Sequence, residues 1–464
     1  MRARTVFVLL TAAEWLTFTA HGDPVSTLIA GLTWAAVGEA VATVLVNVAV
    51  SMAVSLFTKP KSQAMRGAQI EFSIDPAAPR AAGFGEVRMA GSLVKAWCTG
   101  PKNKWDIEVH AIADGLCDDI LGYFIGDQYY QYEGPGAQSA FTYDGTEHLW
   151  IYHRLGTDGQ TAILDHEALT TIPDGESEPR WTEDHRGIGI CYAIIIRRYN
   201  DKIFPGNEKP DGWLIQGLKS PRLASQAEAG GDGSVVWGDP STYLFTNNAL
   251  EHAYHFARGI WINGHKVIGP GLTHRELPPE RWLPEIAICD ESVALAAGGT
   301  EPRYRTTAVV TSEDDWGEVL DEFARSCGGA RIDIGGQQVI LAGAARVPAM
   351  EITDDDMSAT ADFWVQEKQP ASALYNCVVG TFTDRHTGYL SGDYAARPIG
   401  AFGDPDVEWR ERVLNLPFVF SATQAQRVAE IQYRKDQLQA RWGFVGQPWT
   451  SHVEAGDVLS QSSA

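Results

Sequence analysis

At 464 residues the chain exceeds one ordinary hydrophobic core and divides into two to four domains. It is 44% hydrophobic, and its 15 Trp and 46 Gly point to a β-rich architecture with many turns. A formal net charge of −22 excludes a nucleic-acid binder working through a basic surface, because such binding needs clustered Lys and Arg to displace counterions; the same charge fits either plain solubility or a wall that DNA slides past without sticking.

In chain order, the first segment is residues 1–60. Arg2 and Arg4 precede the apolar run Val6 to Leu10, but Glu14 interrupts it and Thr19-Ala20-His21 is a poor cleavage site, which argues against a secretory signal. From Val41 to Phe57 every residue is apolar or small except Asn47, and the run stops at Lys59-Pro60-Lys61. Its 17 residues sit at the lower limit for spanning a bilayer. The alternation of Val44, Val46, Val48 and Val50 would suit a strand, whereas the length and the Ala-rich flank favour a hydrophobic helix. Such a helix fits a core position, a bundle with symmetry mates that blocks a channel, or a membrane anchor. In the bundle, Val44, Val48, Met52 and Leu56 would fill the axis and Asn47 would fix the register.

Residues 61–245 read as a β-rich domain. Gly83 to Val94 carries a glycine turn between paired strands, and Trp105 to Ala113 alternates apolar and polar residues. Gly115 to Asp127 continues as turn and strand. Residues from about 128 to 185 read as a polar, glycine-rich insertion with short strands. Gly187 to Tyr199 is apolar on both faces, the pattern of a strand buried on both sides. Residues 246–350 read as an α/β lobe. Asn248 caps a helix that ends at Gly259. Pro278-Pro279 opens a helix carrying Trp282, Ile286 and Cys289, with Pro284 expected to kink it. Ser312 to Asp315 caps the helix Trp316 to Cys327, and a hairpin turns at Gly335-Gly336. Residues 351–464 read as a second β-rich domain with one helix, opened by Thr423-Gln424-Ala425-Gln426-Arg427 and running to Leu438. The fold class is therefore α+β, mainly β.

The order Asn248-Ala249, Cys289-Asp290, Gly298-Gly299-Thr300-Glu301-Pro302-Arg303, Asp315, Leu320, Phe323 and Gly335-Gly336 resembles the tail hub, or central tail-tip, proteins of long-tailed bacteriophages, the lambda-type host-specificity family. The same holds for Ala371 to Gly380, for the Ser-x-x-Gln-Ala-x-Arg pattern at the last helix, and for Glu454 to Leu459. Together the likeness spans most of residues 80–460. It departs at Phe84, where Tyr is common, at Ala90-Gly91, where Gly-Gly is common, and at Asn248-Ala249, which lacks an intervening Pro. The resemblance implies a homotrimeric hub with β-barrel-like domains that closes the distal end of the tail tube. It also implies partners: the distal tail ring protein, other tail-tip proteins and the tape-measure protein, with contact at the host outer membrane. DNA would pass without specific binding. Location in the virion tail tip follows, after assembly in the host cytoplasm. Competing readings are a membrane-anchored surface or secretion-system protein and a tail-associated cell-wall hydrolase.

Catalytic patterns are weak. The six cysteines lie far apart in sequence, which argues for free buried thiols over a zinc site or disulfide framework. His252 and His255 lie three apart on a helix with no third ligand indicated, so both read as ordinary core or surface histidines. Asp354-Asp355-Asp356 lacks the glycine and terminal Glu of a calcium loop. The expectation is a structural protein, not an enzyme, with no catalytic, cofactor-binding or metal-binding residues.

Overall fold

The computed structural model describes residues 79–462, apart from residues 174, 207, 359, 362, 371–373 and 403–406, and these belong to one compact unit, residues 64–464. The expected N-terminal helix and its axial residues Val44, Asn47, Val48, Met52 and Leu56 lie outside the described residues, as does the unit formed by residues 1–63.

Alternating apolar residues build two antiparallel sheets from the first half of the chain. The first strands are β1 (Ala81–Phe84), β2 (Glu86–Met89), β3 (Ser92–Thr99), β4 (Trp105–Asp114), β5 (Cys117–Ile125) and β6 (Gln128–Gln131). They are followed by β7 (Gly136–Ala137), β8 (Leu149–Leu155), β9 (Ile190–Arg198) and β10 (Gly212–Leu218). One sheet has five strands in the order β3-β4-β9-β8-β7, the other four in the order β2-β10-β5-β6. They face each other across a core in which Cys191, Ala193 and Ile195 of β9 meet Val87, Ile120, Trp213 and Ile215. The intervening β9 residues Tyr192, Ile194 and Ile196 point the other way, into a second core under Ile163, Leu169 and Trp181. β9 is thus buried on both faces, as its unbroken apolar run requires. Within the stretch 128–185, β8 pairs with β9 along its whole length, and the loop that follows it covers the outer face of the sheet.

Among the described residues no sheet closes into a barrel. The edge strands are β3, eight residues long, and the short β2, β6 and β7, two to four residues long; no pairing among the described residues joins the two edges of either sheet. The architecture is a sandwich of two open sheets in place of the expected β-barrel-like domains.

The second half is built around helices α1 (Ala249–Arg258), α2 (Pro279–Asp290), α3 (Trp316–Ser326) and α4 (Ala422–Asp436). Strands β11 (Ser292–Ala294) and β12 (Thr300–Pro302) form a hairpin; β13 (Ala308–Thr311) pairs with β1; β14 (Ala330–Ile334) and β15 (Gln337–Leu341) pair around Gly335-Gly336. Pro284 lies inside α2 without ending it. α4 packs its Ala425, Val428 and Ala429 into the same core as Phe256, Trp282 and Phe323 of the first three helices, so residues 351–462 share a core with the lobe. Outside α4 the described C-terminal strands are three or four residues long and, among the described residues, occur only in pairs, such as Cys377–Val379 with Glu411–Val413.

Gly85 sits where the chain leaves its pairing with β13 and enters the four-stranded sheet. Its φ is +71°, and a Cβ there would lie 2.2 Å from the Thr306 carbonyl oxygen, so no other residue fits.

Candidate functional site

The glycine-rich hexapeptide shapes a tight hairpin. Gly298 and Gly299 both have positive φ, +91° and +81°, and a Cβ on either would meet no atom within 4 Å. The requirement is therefore for backbone freedom, not for space. Leu295 N–H donates to the Gly299 carbonyl (3.1 Å) and Gly298 N–H to that of Leu295 (3.0 Å), which closes the turn. Thr300, Glu301 and Pro302 then pair with Ala294, Val293 and Ser292, and of the three only Glu301 is buried.

Glu301 is the centre of the site. Its carboxylate accepts from Thr423 Oγ1 (2.6 Å), Ser421 Oγ (3.1 Å), Arg427 (3.0 Å) and Arg305 (3.1 Å). Ser421 is the N-cap of α4 and Thr423 lies in its first turn, so the carboxylate sits where the helix dipole and free N–H groups favour negative charge. Burial by itself would raise the Glu301 pKa; the hydrogen bonds from Thr423 and Arg427 outweigh it and hold the group below the usual carboxylate range. Arg427 also donates to the Arg303 carbonyl (2.8 Å). Gln424 completes the junction: its side-chain oxygen accepts from Arg305 N–H (2.9 Å), and its amide donates to the Arg305 carbonyl (2.8 Å) and that of Ser326 (3.0 Å).

The other residues singled out in the sequence lie around the hairpin, on α1, α2 and the strand that leaves it. Asn248 caps α1 by accepting from Leu250 N–H (3.0 Å) and Glu251 N–H (3.1 Å), and its amide donates to the Ile286 carbonyl (2.9 Å) of α2. Cys289 is fully buried at the end of α2, where burial pushes its thiol pKa well up, and its carbonyl accepts from Tyr304 N–H (3.0 Å). Asp290 is exposed and stands 3.7 Å from Arg222. Arg303 donates twice to one Glu291 oxygen (2.9 and 2.6 Å) near the surface. The hexapeptide and the Ser421-x-x-Gln424-Ala425-x-Arg427 pattern, more than a hundred residues apart, are two halves of one contact. Each motif is legible in the sequence but their meeting is not; the opposite charges of Glu301 and Arg427 are the one signal of it.

Nearby histidines are packing residues. His252 and His255 are buried against Phe84, with ring centroids 5.2 and 5.6 Å away. His252 is hydrogen-bonded to Thr306 Oγ1 (2.6 Å) and the Thr246 carbonyl (2.9 Å), and burial lowers its pKa to about 4. Burial lowers His255 to about 3. Among the described residues no group of three or more His, Cys, Asp or Glu is arranged to hold a metal ion. The Asp354–Asp356 turn is capped by Thr353, whose N–H and hydroxyl both donate to Asp356. Five cysteines are buried and free, whereas Cys98 is exposed. No helix among the described residues is long and apolar enough to cross a membrane.

Residues 317–463, the C-terminal third, match the model of a family described as "Putative phage tail protein". Over this third the chain is similar to phage tail proteins. The matched segment contains α4 and with it one side of the Glu301 junction. A chain from the virion of a native gene transfer agent particle has a similar fold, with a TM-score of 0.51 and 15% identity over 84% of this chain and 80% of that one. A 43 kDa tail protein of prophage MuSo2 from Shewanella oneidensis aligns over 80% of both chains at 12% identity, but its TM-score of 0.20 carries no argument. Among curated proteins none matches the sequence.

Proposed function

We propose that this chain is a phage tail protein and the hub of the tail tip: a structural, non-enzymatic part that closes the distal end of the tail tube and acts in host attachment and DNA ejection. The observation that carries the reading is the junction at Glu301, where the two motifs that resemble the tail hub family meet each other and no reactive constellation. Every polar atom of the Glu301 carboxylate is used to fasten the hairpin to α4, which is what a load-transmitting part needs. The phage tail match of residues 317–463 and the fold shared with a virion chain support the same reading. In this role the chain is a homotrimer in the virion. It meets the distal tail ring, the other tail-tip proteins and the tape-measure protein, touches the host outer membrane, and lets DNA pass without specific contacts. The acidic balance of −22 suits a conduit that repels phosphate.

The test is a density map of the intact particle. Three copies of the sandwich and lobe at the distal end of the tail are expected. Copies along the tube, at the head end, or in another number would contradict the proposal.

A further inference from the structure

A groove of about 1120 Å³ runs along one face of α4, walled on the other side by the β14–β15 hairpin and the segment 342–346. Thr423, Arg427, Ile431 and Lys435 line it at helical spacing, so it is about 18 Å long. It is larger than most small-molecule pockets, which reach roughly 1,000 Å³, and its shape suits five or six residues of extended chain at about 3.3 Å each. The floor is aliphatic, with Ile332, Leu341 and Ile431, and at the rim Ile399 and Leu438 are 83% and 74% exposed.

Its charge is opposite to that of the chain as a whole. Arg303, Arg346, Arg397, Arg427, Arg434 and Lys435 line it, against the single carboxylate of Glu430. Four of the cations are already neutralised, by Glu291, Glu285, Glu301 and Glu430 respectively. Arg397 and Lys435 have no carboxylate within ion-pair distance among the described residues. Among the described residues the Arg397 side chain donates only to the Gln426 side chain (2.8 Å), with its Nε buried and unpartnered, and the Lys435 side chain only to the Gly328 carbonyl (3.2 Å). Neutral acceptors leave both charges uncompensated.

We infer that this groove is a docking site for an extended acidic peptide segment with aliphatic side chains, supplied by a neighbouring polypeptide. Its carboxylates would pair with Arg397 and Lys435, and its aliphatic side chains would cover Ile399 and Leu438. A nucleic acid is the poorer fit, because two unneutralised cations release few counterions and the net charge of −22 repels a polyanion.

Fluorescence anisotropy with the full chain tests this, using a labelled peptide of alternating Asp and Leu. Peptides of Lys and Leu and of Asp and Ser, and a short single-stranded DNA, serve as competitors for the assignment. Long-range charge favours the basic peptide, so a preference for the acidic one reports on the groove itself. The Asp–Leu peptide is expected to bind best, and Arg397→Glu and Lys435→Glu each to weaken it about tenfold. Arg434→Gln, at a cation already paired, should change it little. Should charge reversal unfold the chain by circular dichroism, Arg397→Gln and Lys435→Gln replace it, with a smaller loss in the same direction. No binding of the Asp–Leu peptide, equal or tighter binding of either other peptide or of DNA, or unchanged affinity in both variants would overturn the inference.

Discussion

The sandwich and the C-terminal region solve the same problem by different means. In the sandwich, strands of up to ten residues pair in sheets of five and four and bury Trp213, Ile195 and Ile215 between them. Beyond residue 350 the described strands are three or four residues long and stand in pairs. Isolated two-stranded pairs are marginal in water. This region is held instead by the core that α4 shares with the lobe and by polar junctions: Glu301 with Ser421, Thr423 and Arg427, Arg281 with Glu454, and Gln424 with Arg305. Long strands order themselves by apolar burial, which is not directional; short ones need named side-chain contacts to hold one arrangement.

The difference is open to attack by substitution, starting where the effect is largest. Trp213→Ala empties the middle of the sandwich and is expected to cost about 4 kcal/mol, read by denaturant unfolding. Gly85→Ala forces a Cβ onto the Thr306 carbonyl at a positive φ and should cost about 3 kcal/mol by the same measurement. Because Gly85 joins the sandwich to the lobe, its loss should affect both regions, whereas Trp213→Ala acts first on the sandwich.

How far the sequence announces this architecture depends on the range of each contact. Helix caps are local, and Asn248, Asp315 and Ser421 all cap the helices that follow them. The Gly335-Gly336 hairpin is local too. The pairing of β1 with β13 joins Ala81 to Thr311, and no local pattern contains it. Short strands are legible in the polar stretch 128–185, but the pairing of β8 with β9 is not, because the two lie about forty positions apart. At the site, the hexapeptide is legible as a turn, but the partners of Glu301 at the start of α4 lie 120 to 126 positions away. The β-barrel expectation comes from the resemblance, and the open edges of the two sheets overrule it.

Glu301→Gln tests the polar side of the comparison. It leaves Arg427 and Arg305 facing a neutral amide and is expected to cost about 2 kcal/mol at neutral pH. Glu301 has a lowered pKa in the folded chain, so its contribution is present above the ordinary carboxylate range and lost as pH falls through the folded value. The cost of the substitution should therefore shrink in acid. Glu251 behaves in the opposite sense. It is buried on α1, where burial raises its pKa to about 7 against the hydrogen bond from Leu223 N–H. Between the ordinary value of 4.5 and about 7 the folded chain holds the extra proton, so the group costs stability as pH rises through that window. Glu251→Gln is expected to gain on the natural chain by up to about 2 kcal/mol at pH values above 7, seen as thermal unfolding across pH. The smallest effect is Arg303→Ala: its pair with Glu291 is partly exposed on both sides and is worth about 0.5 kcal/mol.

The central claim is that the hexapeptide acts as a fastening for the C-terminal region and that Glu301 carries it. Hydrogen exchange by mass spectrometry, comparing the natural chain with Glu301→Gln, tests it most directly. Faster exchange is expected in residues 300–305 and 421–437, with β9 of the sandwich unchanged. Unaltered protection of α4, or an equal loss of protection in β9, would contradict the account.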